Sequence, residues 1–147
     1  MVIIASDNFY TFSEYLKNDN NIITPSMEDY IEMIYRLSLN NDVGVRVNDL
    51  SEALNVRPPS TTKMMKRLLD LNICVYKKHG AIHLSENGLN IGKFLLQRHN
   101  TIESFLSFIG VRETLFDQTE KIEHLINSET LNCISIFLEN NINKNLE

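Results

Sequence analysis

The sequence predicts a mainly α-helical protein with one β-hairpin near its middle. Apolar side chains recur at the helical period over most of the chain, which favours amphipathic helices. Residues 73–84 are instead rich in β-forming side chains and contain a glycine, which favours a hairpin. With 147 residues, of which 43% are apolar, the chain can bury a core in one domain or in two small ones.

The first 23 residues are expected to form an extension that precedes the first core domain. They contain one short amphipathic segment, which could form a docking helix, and a polar linker at residues 17–21. Thr24 before Pro25 is a typical helix start, because threonine caps a helix and proline tolerates its first turn. The first core helix is predicted to run from there to about Leu39.

Two short helices are predicted after a turn at residues 40–44. The first has the polar outward positions Asn48, Asp49, Ser51 and Glu52. The second begins at Pro58, and its inward stripe consists of Thr61, Met64, Met65 and Leu68. Its outward face carries hydroxyls and cations, namely Ser60, Thr62, Lys63, Lys66 and Arg67. This arrangement is typical of a helix-turn-helix, in which the second helix enters the major groove of DNA.

A basic hairpin is predicted directly after these helices, with Lys77, Lys78 and Gly80 at its tip. The chain has a formal net charge of −5, yet residues 57–79 contain six lysines and arginines against one aspartate. A basic hairpin after a helix-turn-helix is typical of a winged DNA-binding domain, because phosphate binding relies on lysine and arginine. The alternative is a structural helix pair with a solvated lysine face.

The second half of the chain is predicted to be helical. Ser85 caps a long helix over residues 86–109, and Gly110 stands where a left-handed residue ends a helix. Residues 112–125 and 129–139 predict two further helices. The last helix carries more apolar surface than a lone terminal helix can bury, which suggests a dimer interface.

The composition favours a cytoplasmic protein without a membrane partner. The apolar runs are far shorter than the ~20 residues that span a bilayer, and the first residues lack the basic start of a signal peptide. The two cysteines, Cys74 and Cys133, lie far apart in apolar surroundings. We interpret both as reduced, buried side chains.

Three of the predicted helices carry metal-ligand side chains at helical spacing. The candidates are Asp29, Glu32, His99, Glu120, Glu123 and His124. Side chains three and four positions apart lie roughly 5–6 Å apart at Cβ on a helix, so the last three candidates form one patch and the first two another. Core packing does not require such patches, whereas a divalent metal does. The alternatives are solvated helix faces and, for His99, a core histidine.

With these motifs in view, the chain resembles the diphtheria toxin repressor family of metal-dependent transcriptional regulators, and most closely its manganese transport regulator branch. The resemblance covers about residues 24–140 and rests on residues 24–32, residues 58–64, Arg98-His99 and Ile122-Glu123-His124. It implies a winged helix-turn-helix DNA-binding domain at residues 24–85. A helical metal-binding and dimerisation domain at residues 86–142 would follow, and residues 1–23 would be the N-terminal extension.

The resemblance also implies a paired metal site formed by all six candidates. The iron-responsive branch has a methionine and a cysteine at the positions of Asp29 and Glu120, and hard oxygen ligands suit manganese better than sulfur does. We therefore expect two Mn²⁺ ions per subunit, with Fe²⁺ as the alternative. Glu120 and Glu123 are the bridging candidates. Phe116 replaces a histidine of the ancillary site in the iron branch, so we expect no ancillary site.

The function that the resemblance implies is a manganese-responsive repressor that controls manganese uptake genes and binds double-stranded operator DNA as a homodimer, with no small-molecule substrate. Expected phosphate contacts are Lys63, Lys66, Arg67, Lys77 and Lys78. Expected base contacts are Arg57, Ser60 and Thr62. Pro59 and Thr61 suggest an altered operator preference.

Three alternatives remain open at this point. The first is an iron-responsive regulator of the same family, and the second is a winged-helix regulator that no metal controls. The third is a helical di-metal enzyme, which would use Glu-x-x-His motifs on two helices. Here His124 directly follows Glu123, and the sequence has no second copy of that motif. The enzyme would also leave the basic hairpin unexplained.

Overall fold

The computed structural model of the protein describes residues 10–18, 22–77 and 80–142. The elements in this part of the chain are α1 (Phe12–Asn18), α2 (Pro25–Ser38), α3 (Val47–Ala53), α4 (Pro58–Asp70), β1 (Cys74–Tyr76), β2 (Ile82–Leu84), α5 (Glu86–Phe108), α6 (Leu115–Ile122), a 3-10 turn (Glu123–Leu125) and α7 (Ser128–Ile142). The predicted mainly α-helical fold with one hairpin is therefore confirmed.

Helix α2 begins as the sequence predicts and packs along α5. The Thr24 side chain accepts a hydrogen bond from the backbone N–H of Met27 at 3.3 Å, and Pro25 occupies the first turn. Gly92 of α5 permits the close approach of the two helices, because a Cβ atom there would lie 2.7 Å from the Cβ of Tyr35. The backbone of α5 therefore lies directly against α2.

The N-terminal half has the winged helix-turn-helix arrangement. Helices α2, α3 and α4 share one apolar core with the two strands. Strands β1 and β2 pair antiparallel, with Val75 opposite His83, and Val45 extends the sheet through a bridge to Ile82. The β1–β2 hairpin is the predicted wing, and Lys77 closes it by donating its backbone N–H to the carbonyl oxygen of Ala81 at 2.8 Å.

Helix α5 joins the two halves of the protein. The Ser85 hydroxyl accepts a hydrogen bond from the N–H of Gly88 at 3.0 Å and donates one to the carbonyl oxygen of Asn72 at 2.7 Å. A Cβ atom at Gly88 would collide with the carbonyl oxygen of Ile73. The start of α5 is therefore fixed to the segment between α4 and β1. Its end is also as predicted, since Gly110 follows with a φ of +105°.

Helices α5, α6 and α7 enclose a second, smaller core around Ile102, Leu106 and Leu131. Many side chains of α7 are exposed, and Phe137 makes edge-to-face contacts with Phe105 and Phe108. Exposed apolar side chains on α7 and at the end of α5 include Phe108, Ile109, Ile136, Phe137 and Ile142. Within the described ranges, much of α7 thus stays uncovered, in agreement with the excess apolar surface predicted for it.

Two sequence interpretations of single residues are wrong. Cys133 is exposed rather than buried, because α7 packs on α5 along one side only. Cys74 is buried as expected, and burial raises the pKa of its thiol to about 12. Ser51 is 3% exposed rather than outward-facing, because it stands one helical turn after Val47 and shares its inward face.

The Ser51 hydroxyl forms a buried polar contact between α3 and α4. It donates to the carbonyl oxygen of Val47 at 2.7 Å and lies 2.8 Å from Oγ1 of Thr61, which is fully buried. A serine hydroxyl has one proton, so the Thr61 hydroxyl is the donor to Ser51. This chain of hydrogen bonds connects the two helices of the helix-turn-helix.

The N-terminal extension contains helix α1, and the side chains of Phe12 and Leu16 are exposed on it. Much of the predicted linker lies outside the described residues. Among the helices in the described ranges, none has the length and apolar content needed to cross a bilayer.

Replacing Ser51 by alanine should lower the free energy of unfolding by about 1–3 kcal/mol, because the Thr61 hydroxyl would stay buried without its acceptor. Adding Thr61→Val to that variant should recover most of the loss, since neither position then carries a buried hydroxyl. Urea denaturation followed by circular dichroism measures both effects. The exposed neighbour Thr62 supplies the control, because Thr62→Val should change stability by less than about 0.5 kcal/mol. If the destabilisation of the double variant equals the sum of the effects of Ser51→Ala and Thr61→Val alone, the two hydroxyls do not act as a pair.

Candidate metal centre

Five of the six predicted ligands come together in two adjoining groups. Asp29, Glu123 and His124 form the first group, and His99, Glu120 and Glu123 form the second. Within each group, one ligand atom per residue lies within 4.8 Å of the others. Glu123 belongs to both groups. We call these five residues the ligand cluster.

The ligand cluster joins the two halves of the protein. Asp29 lies on α2, His99 on α5 and Glu120 on α6, whereas Glu123 and His124 lie in the 3-10 turn. The predicted single helix through Glu120 and His124 is therefore wrong at its end. The chain must leave the helix before Asn127, whose side chain accepts the backbone N–H of Thr130 at 2.8 Å at the start of α7.

Glu123 is the centre of the ligand cluster. Its side chain is 1% exposed, and its Oε2 lies 2.8 Å from Nδ1 of His99. Its Oε1 lies 3.7 Å from Nε2 of His124 and has no hydrogen-bond partner among the described residues. A buried carboxylate oxygen without a partner costs about 1–3 kcal/mol or more. A bound cation would remove that cost.

The two histidines both face Glu123. Nδ1 of His99 also lies 3.3 Å from Oε1 of Glu120, and the hydrogen bond to Glu123 raises the pKa of His99. Nε2 of His124 lies 3.1 Å from Oδ1 of Asp29. Hydrogen bonds to Asp29 and then to Glu28 raise the pKa of His124 to about 10. Without metal, a proton on His124 therefore supplies positive charge near these carboxylates at neutral pH.

Glu32, the sixth predicted ligand, lies outside both groups. Its Oε1 accepts a hydrogen bond from Nε of Arg36 at 2.9 Å. Burial raises the pKa of Glu32, and the nearby charge of Glu123 acts in the same direction. Glu32 and Glu120 line one pocket of about 300 Å³ together with Asp29. The carboxylate is thus a neighbour of the ligand cluster, and Arg36 is its present partner.

The donor set fits a divalent cation that prefers oxygen. It combines three carboxylates, a ligand type that suits manganese, with two imidazoles, which are common ligands of other first-row metals such as iron and zinc. Burial, followed by the negative charge of Glu123, raises the pKa of Glu120. Carboxylates that lie this close repel one another, and a cation bound between them would lower that repulsion.

Sequence reasoning missed three residues that contact the ligand cluster. Glu103 Oε2 lies 3.1 Å from Nε2 of His99, and the spacing of one helical turn between them could have indicated it. Glu28 and Arg98 contact His124. Both residues adjoin predicted ligands in the sequence. The helix dipole already accounts for an acidic residue in the first turn of a helix, so Glu28 did not indicate a contact with His124.

The predicted DNA-contacting residues lie on exposed surface around α4 and the wing. The exposed residues are Arg57, Ser60, Thr62, Lys63, Lys66, Arg67 and Lys77. Lys78 lies outside the described residues. Thr61 is buried and bonded to Ser51, so its side chain does not face outward with the others. Pro59 is exposed beside them.

These features define a winged helix-turn-helix protein in which a cluster of metal-ligand side chains lies between the DNA-binding half and a second helical half. Residues 23–82 match the N-terminal DNA-binding domain of iron dependent repressors, and residues 85–143 match their metal-binding and dimerisation domain. The chain belongs to this iron dependent repressor family, which confirms the resemblance read from the motifs. It is a DNA-binding transcriptional regulator with a dimerisation domain rather than an enzyme.

Two transcriptional regulators named MntR are similar to this chain over most of their length. The HTH-type transcriptional regulator MntR of Lysinibacillus sphaericus is 42% identical over 113 residues, which cover 76% of this chain and 81% of that protein. The MntR of Bacillus pumilus is 43% identical over 112 residues, which cover 76% and 77%. The solved structure of the manganese regulator SloR has a TM-score of 0.68 at 25% identity and covers 77% of this chain. This chain spans about half of SloR, 53% of its length.

Binding of Mn²⁺ at about pH 7.5 should release at least one proton per subunit, because His124 with a pKa of about 10 carries a proton that a metal must displace. Isothermal titration calorimetry in two buffers of different ionisation enthalpy measures the release. Heats that do not depend on the buffer would contradict the protonated state of His124.

The same pKa has a consequence for the metal-free protein. Because the pKa of His124 is raised above 6.5, its stabilising effect is fully present below that pH and is lost as the pH rises through about 10. The variant His124→Gln is the control, since it should lose both this pH dependence and a released proton.

Proposed function

We propose that the protein is a manganese-responsive transcriptional repressor that binds operator DNA as a homodimer in the cytoplasm and controls manganese uptake genes. The observation that carries this proposal is the position of Glu123. This buried carboxylate is shared by two ligand groups, and one of those groups includes Asp29 from the DNA-binding half. A cation bound there would contact both halves of the protein.

Two ions per subunit are supported by the division of the ligand cluster into two groups that share Glu123. Manganese is supported by the carboxylate-rich donor set and by the similarity to SloR, which is described as a manganese regulator. Fe²⁺ remains the alternative metal. In this proposal Glu32 is a further ligand. Its carboxylate would release Arg36 and bind a cation in the pocket that Glu32 and Glu120 both line.

Metal would act by favouring one arrangement of α2 relative to α5 and α6. Asp29 lies on α2, which packs in the core of the winged helix domain. A cation needs only to bind the DNA-competent arrangement better than the others, and a typical coupling of ~1–3 kcal/mol gives about a 5- to 150-fold change in DNA affinity. By reciprocity, operator DNA would tighten metal binding by the same factor.

The dimer is supported by the apolar surface that α7 and the end of α5 leave exposed, including Phe108, Phe137 and Ile142. A second copy on this face would place two winged domains, about residues 24–85 of each subunit, on one duplex. Helix-turn-helix dimers contact half-sites one helical turn or a multiple apart. We place the dimer contacts in residues 86–142 for this reason.

The DNA contacts divide into two sets. Lys63, Lys66, Arg67, Lys77 and Lys78 would contact phosphates, which determine affinity and position but carry little sequence information. Arg57, Ser60 and Thr62 would face base edges. Support comes from their position, since Arg57 precedes α4 directly and the two hydroxyls lie exposed in its first turns.

Fluorescence-anisotropy titrations test the metal dependence. A labelled duplex selected by the wild-type protein from a random pool should bind about 5- to 150-fold more tightly with Mn²⁺ than with chelator. Glu123→Gln should abolish this difference, because the neutral amide cannot supply a charged ligand to either group. Glu129→Gln is the matched control, since Glu129 is exposed at the start of α7.

Each result of these titrations identifies one alternative. Identical curves with and without metal would indicate a winged-helix regulator that metal does not control. A response to Fe²⁺ but not to Mn²⁺ would favour the iron-responsive alternative.

Lys66→Ala should weaken binding to every DNA sequence and lower the slope of log K against log salt by about one unit, because it removes one phosphate contact. Titrations at several salt concentrations measure the slope. Lys93→Ala on α5 is the control, because Lys93 is also exposed but lies outside the basic surface of α4. An unchanged slope for Lys66→Ala would remove Lys66 from the contact surface.

A further inference from the structure

The ring of His124 is held by carboxylates on both sides. Nε2 faces the ligand cluster, 3.1 Å from Oδ1 of Asp29 and 3.7 Å from Oε1 of Glu123. Nδ1 faces Glu28, whose Oε1 lies 3.2 Å away. A neutral imidazole has one donor and one acceptor nitrogen. His124 can therefore offer Nε2 to a cation only when Nδ1 carries the proton.

Glu28 lies on the opposite side of the ring from the ligand cluster, so it is not a member of either ligand group. Its second oxygen, Oε2, accepts a hydrogen bond from Nη1 of Arg98 at 2.8 Å. Arg98 is 5% exposed, and the Glu28 side chain is 16% exposed. The two carboxylate oxygens are thus divided between two donors, Arg98 and the ring of His124.

The three side chains come from three different parts of the fold. Glu28 lies in the first turn of α2, Arg98 lies on α5, and His124 lies in the 3-10 turn. Arg98 also places Nη2 3.4 Å from Nδ1 of His124. A guanidinium can only donate, so Glu28 is the neighbour among the described residues that can accept a hydrogen bond from Nδ1–H, and its Oε1 is also the nearer of the two.

We propose that Glu28 is a positioning residue for metal binding, which holds the proton of His124 on Nδ1, and that Arg98 holds Glu28 in place. The inference rests on the proposed metal function of the ligand cluster. A carboxylate that accepts the second N–H of a metal-ligating histidine fixes its tautomer and orientation, and loss of such a partner typically weakens metal binding by about 10- to 100-fold.

The variant Glu28→Gln tests the proposal with little change in volume. An amide offers one acceptor oxygen, whereas Arg98 and Nδ1 of His124 both donate, so the amide NH₂ must face one of the two donors. Calorimetric titration with Mn²⁺ should show affinity about 10- to 100-fold weaker for one ion, and a change below about threefold for the other. Glu52→Gln is the control, because Glu52 is exposed on α3.

A spectroscopic measurement separates positioning from general destabilisation. With Cd²⁺ as a diamagnetic probe, ¹⁵N spectra of the wild-type histidines should show His124 bound through Nε2 and protonated at Nδ1. In Glu28→Gln, the Nδ1–H signal should be lost or exchange-broadened, while the metal-free protein still unfolds cooperatively on heating. Arg98→Lys keeps a cation beside Glu28 and should retain the tautomer, with a smaller loss of affinity than Glu28→Gln.

The outcomes of these measurements are distinct. Unchanged affinity and an unchanged Nδ1–H signal in Glu28→Gln would overturn the positioning role of Glu28. Equal weakening for both ions, together with a loss of thermal stability, would also overturn it. If Glu28→Gln does not fold, the Arg98→Lys variant decides the question. A weaker metal affinity of Arg98→Lys, with the Nδ1–H tautomer retained, supports the proposal. An unaltered metal affinity of Arg98→Lys contradicts it. Failure of the wild-type protein to bind either metal would refute the proposed function instead.

Discussion

The burial of a single carboxylate, that of Glu123, constrains much of the structure. A carboxylate removed from water is costly unless charges or donors compensate it, and the compensating groups come from α5 and from the same 3-10 turn. Asp29 of α2 joins the same group, and α2 lies close to α5 where Gly92 has no side chain that would collide with Tyr35. Packing between the two halves and the chemistry of the ligand cluster thus depend on each other.

Much of the fold could be predicted because local signals determine its boundaries. Thr24 and Pro25 start α2, Ser85 starts α5, and Gly110 follows its end with a positive φ. The wing also follows from local composition around Gly80. Metal-ligand side chains were found for the same reason, since helical spacing brings Glu120 and Glu123 to one side of the chain even though Glu123 itself lies in a 3-10 turn.

The remaining features depend on contacts between distant residues. Glu28 and His124 are 96 positions apart, so no spacing rule could show that one holds the ring of the other. Glu32 lies outside the ligand groups because its carboxylate is bonded to Arg36, one helical turn away. The sequence alone does not show that Glu32 contacts Arg36 rather than the other ligand candidates. Cys133 shows a third limit, since an apolar sequence neighbourhood does not reveal which side of α7 has a neighbour.

Helix α5 is attached at its first turn and again near its middle, so a shift at one attachment tilts the whole helix. The helix has 23 residues, which corresponds to a length of about 35 Å. Its first turn is tied to the segment behind α4 through Ser85 and Asn72, and His99 lies beyond its midpoint in the ligand cluster. A tilt of about 10° would displace the far end of such a rod by about 6 Å, roughly half the width of a major groove. His99 lies about 20 Å along the rod from its first turn, so a shift of about 3–4 Å at His99 corresponds to this tilt and to a change of reading position on the duplex.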